Sequence, residues 1–204
     1  MYKIGITGSI GTGKTTIANI FAIFNIPIFD ADLEVKKLLT KNEIKQELKK
    51  IWPLIIKKNH IDKLKLREII FSNKNEKKKL ENLLYPYLEI EIRKFETINF
   101  KKDILVYDVP LIYETKTQKK YDIILLAYCN KNLQKERVLI RDKISSSLFE
   151  KIIQTQLSFS DKIKFKPKVI NTKFRCFIFV RVCLFLIKTL IQLKSENGKK
   201  KTNT

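Results

Sequence analysis

Four of the chain's five glycines lie within its first thirteen residues, at Gly5, Gly8, Gly11 and Gly13. The last three fall in the run Gly8-Ser9-Ile10-Gly11-Thr12-Gly13-Lys14-Thr15, a complete phosphate-binding loop. An apolar run at residues 2–7 precedes it and reads as a strand. Ile17, Ile20, Phe21 and Phe24 follow at helical spacing. Phosphate must lie against main-chain N–H groups in such a turn, and side chains would block that approach. The helix that follows aims its positive end at the same anion. Lys14 is expected to reach the β- and γ-phosphates, and the Thr15 hydroxyl to ligate Mg²⁺. Gly8, Gly11, Thr12, Gly13 and Thr16 complete the expected nucleotide grip. The loop fixes a nucleoside triphosphate as donor and leaves the acceptor open.

Strands and helices alternate beyond the loop. Further strands are expected at residues 26–29, 103–109, 121–128 and 168–170, and helices at 133–143 and 147–157. This order predicts an α/β fold, with a mainly parallel five-stranded sheet flanked by helices. Residues 33–99 read as a charged helical insertion, broken or kinked at Trp52-Pro53 and at Pro86, with a loop around Lys58-Asn59-His60. The expected layout is one domain. Its core spans 1–32 and 100–136, the insertion 33–99, a lid about 137–160, and a last segment 172–204.

The net charge of +21 raises the question of a nucleic-acid partner. The chain has 36 lysines against 6 arginines, and the lysines are scattered. Base-edge readout wants the forked guanidinium of Arg, and a nucleic-acid footprint wants a stripe. No specific nucleic-acid partner is expected. The charge instead favours capture of phosphorylated small molecules. Cys129, Cys176 and Cys183 lack metal-ligand spacing and fit a reducing compartment, so a cytoplasmic location is expected. Residues 174–193 are apolar enough to raise the question of a bilayer span. Arg175, Arg181 and Lys188 interrupt the run, which points to a buried or amphipathic final helix and to no membrane span. A polar tail, 195–204, follows. A monomer or weak oligomer is expected.

Three groups of residues bear on the acceptor. Asp30 and Asp32 follow the second strand, where ligands of parallel sheets bind. Such a carboxylate can take the proton of an attacking hydroxyl, or cap the helix that begins near Leu33. Asp32 reads as the base and Asp30 as the structural group. Asp108 ends a hydrophobic strand, as either a metal-holding acid or an ordinary strand-end aspartate. Arg137 and Arg141 share a helix face, as anion-binding forks or as a solvated face in which Arg141 meets Asp142.

Together these motifs resemble the dephospho-coenzyme A kinase family over about residues 2–171. The resemblance rests on the phosphate loop, Asp30-Ala31-Asp32, Asp62-Lys63, Leu66-Arg67 and Phe71. It continues through Leu80-Glu81, Tyr85-Pro86, Pro110-Leu111-Ile112-Tyr113-Glu114, the Gln134, Arg137, Arg141-Asp142 segment and Gln156. It implies transfer of a phosphoryl group from ATP, with Mg²⁺, to the 3′-hydroxyl of dephospho-CoA. It implies Asp32 as base, Arg67, Tyr85 and Pro110 at the acceptor, and Arg137 and Arg141 on the lid side, with Arg141 and Lys14 catalytic. Arg137 and Asn171 are expected among the nucleotide-binding residues, with the adenine held near the end of the chain. The chain departs from the family pattern at Lys63, at Tyr85 and throughout 172–204. A kinase of another small nucleotide and an inactive nucleotide-binding protein are the alternatives.

Overall fold

The computed structural model describes residues 1–57 and 60–202. Lys58 and Asn59 of the expected loop, and residues 203–204 of the expected tail, lie outside the described residues. The first strand, β1 (Tyr2–Thr7), leads through the glycine loop into α1 (Lys14–Ile23). After it come β2 (Ile28–Asp30), α2 (Ala31–Leu38), α3 (Asn42–Ile51), β3 (Ile56–Lys57) and β4 (His60–Ile61). Next are α4 (Lys63–Ser72), α5 (Lys74–Ile98), β5 (Ile104–Asp108) and β6 (Ile123–Tyr128). The chain closes with α6 (Lys131–Asp142), α7 (Ser146–Gln154), α8 (Phe159–Ile163), β7 (Lys168–Asn171) and α9 (Arg175–Thr202).

Five strands form one parallel sheet in the order β2-β5-β1-β6-β7. β5 is buried along its whole length, the near-continuous apolar pattern of a strand covered on both faces. Ile6 and Asp30 both stand opposite Asp108, and Asn171 opposite Tyr128. The carboxyl ends of the strands therefore share one edge, and the polar residues named above gather along it.

On one face of the sheet Ile4, Ile6, Ile17 and Phe21 pack with Ile178, Val182, Phe185 and Leu186 of α9. The insertion has a separate core of Leu38, Ile44, Leu48, Trp52, Leu66, Leu80 and Leu84. α5 connects this core to the sheet, where Phe95 packs against Phe29 and Tyr107.

Several expectations need correction. Pro86 does not break the helix, because α5 runs through it for 25 residues. An internal proline costs about 3 kcal/mol. Leu80 and Leu84 on one side and Ile92 and Phe95 on the other are both packed, which offsets that cost. Trp52-Pro53 does end α3. The insertion is not wholly helical, since β3 and β4 pair antiparallel. α8 lies in a stretch where no helix is expected. The end of the chain, expected as a polar tail, continues α9 to Thr202.

Candidate active site

The glycine loop needs backbone that other residues rarely adopt. Gly11 has φ +75° and Gly13 φ +90°, both left-handed. A Cβ on Gly11 would stand 2.5 Å from Val138 Cγ2 and 2.8 Å from the Gln134 carbonyl. One on Gly13 would crowd Thr172 at 3.2 Å. The loop is thus closed over from α6 and from the end of β7, and glycine is required by contact as well as by torsion.

Distant residues hold the loop in shape. Gln134 Nε2 donates to the Ile10 carbonyl at 2.6 Å, and Ile10 N–H donates to Gln156 Oε1 at 3.1 Å. Thr172 Oγ1 donates to the Thr12 carbonyl at 2.6 Å. Arg137 grips Thr172 in turn, with one guanidinium nitrogen 2.8 Å from its carbonyl and another 3.2 Å from its hydroxyl. Arg137 therefore positions the loop through Thr172, which sequence reasoning passed over in favour of Asn171. The Asn171 carboxamide instead accepts from Lys173 N–H in a local turn.

Lys14 Nζ donates to the Gly8 carbonyl at 2.9 Å. Burial pushes its ammonium below the usual range, against the pull of Asp108 and Asp32. Burial also raises the Asp32 carboxyl, with Asp30 adding to the effect and Lys14 opposing it. Asp108 is pushed up to about 6, chiefly by burial, with Lys14 opposing and Asp30 and Asp32 adding. Lys14 and the buried Asp108 thus share a poorly solvated space, with Asp32 at its exposed edge. Asp30 stands apart as the N-cap of α2, accepting from Leu33 N–H at 2.9 Å. Asp108 Oδ1 is buried without a hydrogen-bond partner, and Thr15 stands exposed at the start of α1. Such oxygen donors suit a divalent cation that also binds phosphate oxygens. Thr16 follows on the first turn of α1.

Beside the loop opens a cleft of about 1730 Å³ between α4, the start of α5, residues 113–118 and α7. Arg67, Lys74, Lys77, Lys116, Lys143 and Lys151 line it against only three acids, Glu68, Glu114 and Asp142. Arg67 is therefore at the cleft, whereas Tyr85 and Pro110 are not among its lining residues. The Pro110 carbonyl accepts from Thr7 Oγ1 at 2.8 Å, fixing the segment after β5 to β1. Burial pushes the Tyr85 hydroxyl up to about 12. Arg141 makes the neighbour contact named as the alternative: its guanidinium meets the Asp142 carboxylate at 2.7 and 2.8 Å and is largely exposed.

One buried pair escaped sequence reasoning entirely. Lys162 Nζ lies 2.9 Å from Glu114 Oε1, with the lysine side chain 1% exposed. The same oxygen accepts from Leu157 N–H at 2.9 Å. The contact is an ion pair without hydrogen-bond alignment, since Lys162 Nζ and Glu114 Oε2 have no hydrogen-bond partner. It anchors α8 to the segment after β5.

Comparison with known proteins agrees with this geometry. The family model described as dephospho-CoA kinase (CoaE) matches residues 2–174. The dephospho-CoA kinase of Fusobacterium nucleatum is 34% identical over 172 residues, covering 82% of this chain and 88% of its own. That of Prochlorococcus marinus MED4 is 37% identical over 177 residues, covering 83% and 86%. Among solved structures, dephospho-CoA kinase from Campylobacter jejuni superposes with TM-score 0.64 at 27% identity, covering 92% of this chain and 96% of its own. TT1252 from Thermus thermophilus shares the fold with TM-score 0.84 at 22% identity, covering 93% and 97%. The chain belongs to the dephospho-CoA kinase family.

Proposed function

We propose that this member of the dephospho-CoA kinase family transfers the γ-phosphoryl group of ATP to the 3′-hydroxyl of dephospho-CoA, giving coenzyme A and ADP. The observation that carries the reading is the joining of the phosphate loop to a cationic cleft through Gln156. Gln156 lines a cationic cleft suited to a pyrophosphate-bearing acceptor and accepts from Ile10 N–H of the phosphate loop that carries Lys14.

Backbone N–H groups of Gly11 and Gly13 receive the ATP phosphates, Thr12 N–H closes the loop onto the Ser9 carbonyl, and Lys14 follows the γ-phosphoryl group. Thr16 extends the grip from α1, and Asn171 borders the adenine at the end of β7. Thr15 and Asp108 would hold Mg²⁺, which supplies neutralisation of charge on the phosphate oxygens. Asp32 accepts the proton of the acceptor hydroxyl as its oxygen bonds to the γ-phosphorus and the bond to the bridging oxygen of ADP breaks. Its raised pKa makes it a stronger base than a solvated aspartate. Arg67 binds the acceptor's phosphate charge. Arg141, paired with the cleft residue Asp142, serves the transferring group when residues 137–160 close and exclude water. The location is cytoplasmic, in keeping with three cysteines that lack disulfide partners.

An acceptor panel tests this. With Mg-ATP, dephospho-CoA should be phosphorylated at least about 100-fold more efficiently than nucleoside monophosphates. Preference for a nucleoside monophosphate would assign the cleft to a different acceptor.

A further inference from the structure

The final helix α9 lies wholly beyond the stretch matched by the family model. Ile178, Val182, Phe185 and Leu186 on one side are buried in the sheet's core, with Phe185 edge-on to Phe21 at 6.4 Å. The opposite side is also apolar. Phe177, Val180, Leu184, Ile187 and Ile191 recur at spacings of three and four and are each half or more exposed. Phe179 stacks on Phe24 at the end of α1, with centroids 6.4 Å apart, which extends the exposed surface onto a second helix. A monomeric soluble protein rarely leaves so long an apolar stripe in water.

The charge around the stripe identifies its partner. Residues 173–195 contain five lysines and arginines and no aspartate or glutamate, in a chain of net charge +21. Arg181, Lys188 and Lys194 are exposed on the same helix. A second copy would bring equally charged helices together. An anionic bilayer offers apolar depth to the stripe and negative headgroups to the cations. The segment Cys176–Ser195 is long and apolar enough to cross a bilayer. Spanning, however, would strip Ile178, Val182, Phe185 and Leu186 from the core.

We propose that the exposed face of α9 docks the enzyme on anionic membrane surfaces, with the helix lying in the interface while its other face stays on the sheet. Phe177, Leu184 and Ile187 enter the headgroup boundary, and Lys188 and Lys194 reach the lipid phosphates.

Co-sedimentation of the full chain with vesicles tests this, using phosphatidylcholine with and without phosphatidylglycerol. Binding to the anionic vesicles should exceed neutral binding by more than about tenfold and weaken with salt. Leu184→Glu/Ile187→Glu should lower anionic binding by at least about tenfold while circular dichroism and ATP binding stay unchanged. Lys188→Glu/Lys194→Glu, which spares the apolar residues, should lower it as well, and keeps the test open if the first variant misfolds. Absence of vesicle binding at low salt would overturn the proposal. So would undiminished binding by both variants, or light scattering showing a dimer that the first variant dissociates in a protein that ignores vesicles.

Discussion

Lys162→Met probes the buried pair that sequence reasoning missed. It removes the ammonium 2.9 Å from Glu114 Oε1 and fills the space with a side chain of similar length. Glu114 keeps one hydrogen bond, from Leu157 N–H, and its Oε2 has none. Removing one partner of a buried ion pair costs about 3–5 kcal/mol, because the other charge stays desolvated. A domain of this size has a total stability of about 5–15 kcal/mol, so the loss is a large share. It corresponds to a fall in Tm of about 6–20 °C, at about 2–4 °C per kcal/mol. Glu114→Gln/Lys162→Met removes both charges and leaves an oxygen for Leu157 N–H. It should recover most of the loss, since an uncharged replacement of a buried pair is often neutral. Urea titration of wild type, both single variants and the double variant, with m-values compared, gives the coupling directly. A Lys162→Met protein within about 1 kcal/mol of wild type, or a double variant no better than the single, would refute the reasoning.

Other expected outcomes follow from the loop and the carboxylates. Gly11→Ala should weaken ATP binding more than about tenfold by calorimetry, since left-handed backbone costs a residue with a Cβ about 1–2 kcal/mol and the Cβ meets Val138 at 2.5 Å. Asp32→Asn should lower turnover about 10²–10⁴-fold while ATP affinity stays within about twofold. Wild-type turnover in that variant would remove Asp32 from the role of base. Asp108 has a folded pKa of about 6, above its ordinary 3.8. The folded protein therefore binds its proton more tightly than the unfolded chain does. In metal-free buffer, stability should fall as pH rises from about 4 to about 6, on the order of 3 kcal/mol in total, and Asp108→Asn should flatten that slope.

What could be read from sequence was what is contiguous. Residues 8–15 carry their own backbone requirement, so the loop was legible at once. The five strands were legible because each is a short apolar run bounded by polar turns. Asp30 and Asp32 were legible as an acidic pair after a strand, although only the hydrogen bond to Leu33 N–H assigns the cap to Asp30. Residues far apart in the chain were harder. Thr172 reaches the Thr12 carbonyl across 160 positions and Gln156 meets Ile10 across 146, and neither has a local pattern that names its partner. Lys162 looked like one more of many lysines, and only its burial distinguishes it. Pro86 does not interrupt α5, because packing on both sides outweighs the local propensity to break.

The central claim is that the phosphoryl group reaches the 3′-oxygen of dephospho-CoA. Mass spectrometry and ³¹P NMR of the product made from dephospho-CoA and Mg-ATP test it most directly. The account predicts a product heavier by one phosphate, with a new monoester on the ribose 3′-oxygen, formed by wild type and not by Lys14→Ala. A wild-type protein that binds ATP yet leaves dephospho-CoA unmodified at high enzyme, or places the phosphate elsewhere, would contradict it.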